Sequence, residues 1–177
     1  AKYEFKVKYL LSPSDCESIS MDELVRGADS ASRQLWNELT LSYTESPGHP
    51  ILRTEVSRLY QTITRDDVMI AVPEEAIFVA MNTLCKPGDH IVSIFPAYQS
   101  LSEIARAIGC DVTPWTFELS DNQWRLDLNR LEQILTDRTR LLILNFPHNP
   151  TGYLPSRSDW DSMVALARQH GVYVFSD

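Results

Sequence analysis

Apolar residues recur along this chain with two different periods, and the changes of period mark its elements. Leu24, Ala28, Ala31, Leu35 and Leu39 follow at helical spacing. They come after Ser20-Met21-Asp22-Glu23, a serine with an acid three residues on, so a capped helix is predicted from residue 20 to about residue 37. Upstream, Tyr3, Phe5, Val7 and Tyr9 alternate with charged residues, which suits either a short strand or an arm packed on a partner. Ser12-Pro13-Ser14-Asp15 reads as a turn. Tyr43-Thr44-Glu45-Ser46-Pro47-Gly48-His49-Pro50 reads as a loop, and Ile51-Leu52-Arg53 opens a helix ending near Tyr60.

From there short apolar runs alternate with helical patterns. Val68-Met69-Ile70-Ala71-Val72 is expected as a buried strand, followed by a helix that starts at Pro73-Glu74-Glu75 and faces the core with Ala76, Ile77, Ala80, Met81 and Leu84. Lys86-Pro87-Gly88-Asp89 turns into a strand over residues 90–95, and a helix over 100–108 is stopped by Gly109. Residues 111–116 make a strand that Pro114 places at or near an edge. Asp121-Asn122-Gln123-Trp124 reads as a loop and residues 127–135 as a helix. Leu141-Leu142-Ile143-Leu144 is a buried strand, Ser156 with Asp159 caps a helix, Gly171 stops it, and a last apolar run ends in Ser176-Asp177. Strands and helices in alternation predict a mostly parallel sheet with helices on both faces.

Charge and composition narrow the chemistry. A net charge of -8 argues against nucleic acid as a partner. There is no run of 18 apolar residues to span a membrane, and no signal peptide is expected. Cys16, Cys85 and Cys110 are odd in number and far apart, which suits a reducing compartment, so a cytoplasmic location is expected. His49, His90, His148 and His170 share no metal-ligand spacing, and all four are expected on the surface or in loops.

The candidate chemistry lies where strands end. Asn145-Phe146-Pro147-His148-Asn149-Pro150-Thr151-Gly152 follows a buried run that cannot continue through two prolines and a glycine. The turn presents Asn149, and loops at the carboxyl ends of parallel strands are where α/β sheets bind ligands. Taken alone, the same letters also describe an ordinary proline-rich turn. Asp177 is a carboxylate at another strand end, and Tyr98, in Pro96-Ala97-Tyr98, an aromatic at a third. The strand-to-helix junction at Pro73, Glu74 and Glu75 is a natural anion site, because first-turn amides lack intrahelical partners.

Together these residues resemble the class I/II aminotransferases, fold-type I enzymes that use pyridoxal 5'-phosphate, over roughly residues 43–177. The match rests on Asn149-Pro150-Thr151-Gly152, on Ser176-Asp177 a helix and a strand later, on Pro87-Gly88-Asp89, on Pro96-Ala97-Tyr98 and on Tyr43…Gly48…Leu52-Arg53. It implies an incomplete three-layer α/β/α large domain over residues 43–177, with residues 1–42 as an N-terminal arm and helix. It also implies that Asp177 keeps the cofactor's ring nitrogen protonated, that Asn149 donates to its phenolic oxygen and that Tyr98 stacks on the ring. Tyr43 would reach the phosphate of a neighbouring subunit in a homodimer, though a packing or interface aromatic reads the same way. The substrates would be an amino acid and a 2-oxo acid.

Two departures from the family pattern stand out. Its phosphate-holding junction usually carries glycine or small residues and often a hydroxyl, whereas Val72, Pro73 and Glu74 stand here. Either the amides of Glu74 and Glu75 hold the phosphate with both side chains turned out, or the grip is weaker. The family's lysine, which bonds the cofactor and moves the proton, belongs some tens of residues beyond Asp177, whereas the four lysines here are Lys2, Lys6, Lys8 and Lys86. The chain therefore reads as the N-terminal part of a longer enzyme, inactive by itself. Other reactions on the same cofactor, or a binding module without catalysis, are the alternatives.

Overall fold

The computed structural model describes residues 6–9 and 16–177, so the first part of the alternating segment, residues 3–5, and the turn expected at 12–15 lie outside the described residues. The chain forms two compact units, Ala1–Ile70 and Ala71–Asp177.

In the first unit, Ser20 Oγ accepts from the Glu23 amide at 3.1 Å and starts α1 (Met21–Gly27). The helix expected to run on to about residue 37 is broken after Gly27. Asp29 accepts from the Ser32 amide at 2.7 Å and caps a second helix, α2 (Ser30–Asn37). Glycine is a poor helix residue and aspartate competes for backbone amides, so the pair ends one helix and begins another. α3 (Pro50–Ser57) begins with proline and is capped by His49, ending a little before the expected Tyr60. None of these three helices buries a side chain. Gly48, at φ 101°, lies against Ile70 so closely that a Cβ would come within 2.5 Å of the Ile70 Cβ. Arg53 Nε donates to Val68 O at 2.7 Å.

The strand expected at residues 68–72 is absent. This segment is assigned to no sheet, and the Ile70 amide donates instead to Pro47 O at 2.9 Å. Apolar β-branched residues favour an extended chain, but a strand also needs a neighbouring backbone to complete its hydrogen bonds.

The second unit runs α4 (Pro73–Leu84), β1 (His90–Phe95), α5 (Ser100–Ile108), β2 (Asp111–Thr116), β3 (Glu118–Ser120), β4 (Gln123–Arg125), α6 (Leu128–Ile134), β5 (Thr139–Leu144), α7 (Arg157–Gln169) and β6 (Tyr173–Ser176). Four strands form one parallel sheet in the order β2-β1-β5-β6, with the proline-bearing β2 at an edge as its sequence suggests. Side chains alternate across it. Ile91, Leu141 and Ile143 pack with Ile77, Met81, Leu101 and Ala105 from α4 and α5, while Val92, Leu142 and Leu144 pack with Leu131, Met163 and Ala167 from α6 and α7. The result is three layers, α/β/α. Each fully buried aliphatic side chain contributes about 1.5–3 kcal/mol. Trp115 is also wholly buried, and its indole N–H donates to Asp127 O at 3.0 Å.

Two expectations are corrected here. Gln123 and Trp124 are not loop but strand: Asp121 and Asn122, at φ 52° and 59°, make a two-residue turn that joins β3 to β4 as a hairpin. His90 is neither surface nor loop. It is buried in β1, with Nδ1 at 2.8 Å from Thr139 Oγ1 and Nε2 at 2.8 Å from Thr113 Oγ1, tying the central strand to both neighbours. No helix of the described residues is long and apolar enough to cross a membrane.

Candidate active site

Because the four strands are parallel, their carboxyl ends share one edge of the sheet, and the segments that leave them lie side by side. β1 delivers Pro96-Ala97-Tyr98, β5 delivers residues 145–152, and β6 delivers Asp177, whose amide continues the ladder by donating to Leu144 O at 2.9 Å.

Asn145, the first residue after β5, organises the middle of this edge. It is 8% exposed, and its Nδ2 donates to Asp177 Oδ2 at 2.6 Å while its Oδ1 accepts the Asn149 amide at 2.8 Å. One buried carboxamide thus fixes both a carboxylate and the turn carrying Asn149. Sequence reasoning passed over Asn145, although a polar residue directly after four buried apolar ones, and four before Asn149, was a visible signal. His148 was expected as a surface or loop residue. It does lie in the loop, yet it is 2% exposed, with Nε2 at 2.6 Å from Pro96 O and Nδ1 at 2.7 Å from Thr151 Oγ1. Burial pushes its pKa below the ordinary value, partly opposed by the bond to Pro96 O.

A second group gathers around α4. Ser100 Oγ donates to Glu74 Oε1 at 2.9 Å, and the Tyr98 hydroxyl shares the same carboxylate. That hydrogen bond with Tyr98, then the one from Ser100, holds the Glu74 carboxyl below the usual range and pushes the Tyr98 phenol up. The Tyr98 ring is half-exposed. Val72 provides no side-chain cap for the first turn of α4, Pro73 has no N–H, and Glu75 is exposed. Tyr43 lies in the first unit with its side chain fully exposed. Hydrogen bonds therefore join Asn145, Asn149 and Asp177 into one group and Glu74, Tyr98 and Ser100 into another, and the bond from His148 to Pro96 O links the two loops.

The family model for aminotransferase class I and II matches residues 19–177. The chain belongs to the class I and II aminotransferases. Relatives of this family include a capreomycidine synthase of Streptomyces vinaceus, 32% identical over 152 residues, which cover 85% of this chain and 35% of that protein. An aspartate aminotransferase of Musicola paradisiaca is 32% identical over 145 residues, covering 76% of this chain and 35% of the relative. Among solved structures, a PLP-dependent aminotransferase from Streptococcus suis superimposes with a TM-score of 0.81 at 29% identity, over 90% of this chain and 44% of that one. The chain spans about a third of the length of the curated relatives it matches. Members of the class I and II aminotransferases use pyridoxal 5'-phosphate, and the sheet described above is that of their fold type I domain.

The residues present suit such a cofactor's ring. A half-exposed aromatic, a turn amide and a carboxylate with one oxygen fixed by Asn145 supply a face, a donor and an anionic acceptor. The α4 N-terminus suits a phosphate less well, since it brings a carboxylate where amides alone would favour an anion.

Proposed function

We propose that the intact protein is a PLP-dependent aminotransferase, moving an amino group between an amino acid and a 2-oxo acid, with this chain contributing most of the ring-binding side of the site. The observation that carries this reading is the oriented carboxylate: Asp177 held at 2.6 Å by a buried asparagine, in a chain of this family. When bound, the cofactor supplies an electron sink for charge developing at the substrate's α-carbon. Asp177 holds a proton at the ring nitrogen, which keeps that sink deep. Asn145 orients Asp177, Asn149 donates to the phenolic oxygen, and Tyr98 covers one ring face and excludes water from it. The amides of Glu74 and Glu75 take the phosphate, with the Glu74 side chain drawn off toward Ser100 and Tyr98. Tyr43 completes the phosphate site of a second subunit in a homodimer. The three unpaired cysteines support a cytoplasmic location.

This chain by itself does not turn over in our reading. Lys86 sits on the turn before β1, with its amide bonded to Asp89, whereas Tyr98 follows the opposite end of that strand. Six extended residues span roughly 20 Å, so Lys86 does not serve the ring.

The likeness to a capreomycidine synthase favours a second reading, another reaction on the same cofactor and fold. Both are tested by loading the intact protein with pyridoxal 5'-phosphate and following amino donors with 2-oxo acids. Transfer of the amino group with no other product supports the first reading; consumption of the donor without a new amino acid supports the second. Asp177→Ala is expected to remove most activity while leaving the fold, and near-normal turnover by that variant overturns the role given to Asp177.

A further inference from the structure

The β1–β5 ladder ends at the pair Ser93↔Ile143, short of the residues that would meet a ligand. Beyond that point the two loops need another tie if Tyr98 and Asn149 are to keep a fixed separation, and one buried side chain supplies it. We propose that His148 is a positioning residue that clamps the Tyr98 loop to the Asn149 loop, and so sets the gap into which the cofactor ring fits; this rests on the reading of Tyr98 and Asn149 as ring contacts.

The hydrogen bonds fix the imidazole's state. A main-chain carbonyl only accepts, so the 2.6 Å contact with Pro96 O requires the proton on Nε2. In the neutral ring Nδ1 is then an acceptor, and it takes the Thr151 hydroxyl at 2.7 Å. Thr151 Oγ1 in turn accepts the Tyr153 amide at 3.2 Å, while the main chain of His148 bonds Tyr153 O at 2.8 Å and the Gly152 amide at 2.7 Å. The loop after β5 is therefore closed on His148 by three contacts of its own. The contact with Pro96 crosses to the other loop, two residues before Tyr98, from the residue next to Asn149. Phe117, just beyond β2, packs its ring at 4.2 Å from the imidazole and at 5.3 Å from Tyr153, which holds the histidine in place from a third segment.

Two substitutions separate the clamp from ordinary packing. Glutamine places its amide nitrogen near the Nε2 position and keeps a donor for Pro96 O; asparagine reaches only as far as Nδ1, so it keeps the local contact and loses the crossing one. In the intact enzyme, stripped of cofactor and titrated with pyridoxal 5'-phosphate by equilibrium dialysis, His148→Asn should weaken binding roughly tenfold, and His148→Gln should stay within about threefold of the parent. Thermal unfolding of the cofactor-free proteins should lower both variants by similar amounts. Equal affinities for the two variants, or a normal affinity for His148→Asn, overturn the clamp. Tyr98→Ala serves as the control: weakened binding there with normal binding by His148→Asn removes the clamp alone, whereas unchanged binding by Tyr98→Ala removes the ring-contact reading and the clamp with it. Nitrogen NMR of histidine-labelled protein is independent of any variant's folding. It should find the His148 proton on Nε2, and a proton resident on Nδ1 overturns the proposal.

Discussion

The two units handle apolar residues in opposite ways. In α1 and α2, Met21, Leu24, Leu35 and Trp36 are 55%, 56%, 49% and 44% exposed, and the helices are delimited by caps at Ser20 and Asp29. In β5, four consecutive apolar residues are wholly buried between two helical layers. Capping chemistry is local and works in either setting, whereas burial needs elements distant in sequence. The first unit shows where helices begin and end; the second shows what holds a sheet and its ligand-facing edge together.

The sharpest way to break this contrast is to remove side-chain volume in each unit. Leu142→Ala should cost about 2–5 kcal/mol in urea unfolding followed by the fluorescence of buried Trp115. Leu35→Ala should cost no more than about 0.5 kcal/mol. Equal losses would mean that the first unit has a core of its own.

Asn145→Ala should come next, at about 1–3 kcal/mol, because it removes a buried carboxamide and its two hydrogen bonds, one of them to the Asp177 carboxylate. Asn149→Ala, at an exposed turn, should cost clearly less in the same unfolding assay. A reversed order would remove Asn145 from the centre of the site.

A pH effect follows from the two buried histidines, both in the second unit. Burial first of all holds His90 and His148 below their ordinary value of 6.5. Below that pH the unfolded chain takes up protons that the folded chain resists. The stabilisation is therefore complete above 6.5 and drains away as pH falls through the lower folded values. The urea midpoint should drop between about pH 7.5 and about pH 5.5, and His90→Gln should flatten part of that drop. A midpoint that rises on acidification would contradict the buried, neutral state of these rings.

The most local effect is expected at the caps. Ser20→Ala should destabilise α1 by about 1 kcal/mol, read as lost helical signal in far-ultraviolet circular dichroism, with the Trp115 unfolding midpoint unchanged.

Most of the second unit was legible in its sequence because hydrophobic period and punctuation agree there. Pro73, Gly109, Ser156 and Gly171 mark helix ends where the structure has them. The misses share a cause. Residues 68–72 have strand-like composition, but pairing belongs to a neighbour and not to the segment. Gln123 and Trp124 look like loop because Asp121 and Asn122 dominate the local pattern, and a hairpin with strands of three residues has little periodicity to display. In the site, Tyr98, Asn149 and Asp177 stood at strand ends and could be picked out by position. Asn145 and His148 act through contacts spanning 32 and 52 residues, and no local spacing encodes those distances.

The strand order β2-β1-β5-β6 also has a consequence for the time course of synthesis. β1 can pair with β2 after a single short crossover, but its other side belongs to β5, roughly 45 residues further along. At about 5–20 residues per second, a ribosome leaves that side of Ile91 and Val92 without its partner strand for several seconds. During that interval the nascent chain displays a hydrophobic strand edge of the kind that recruits chaperones or pairs with a wrong neighbour. The delay is built into the topology.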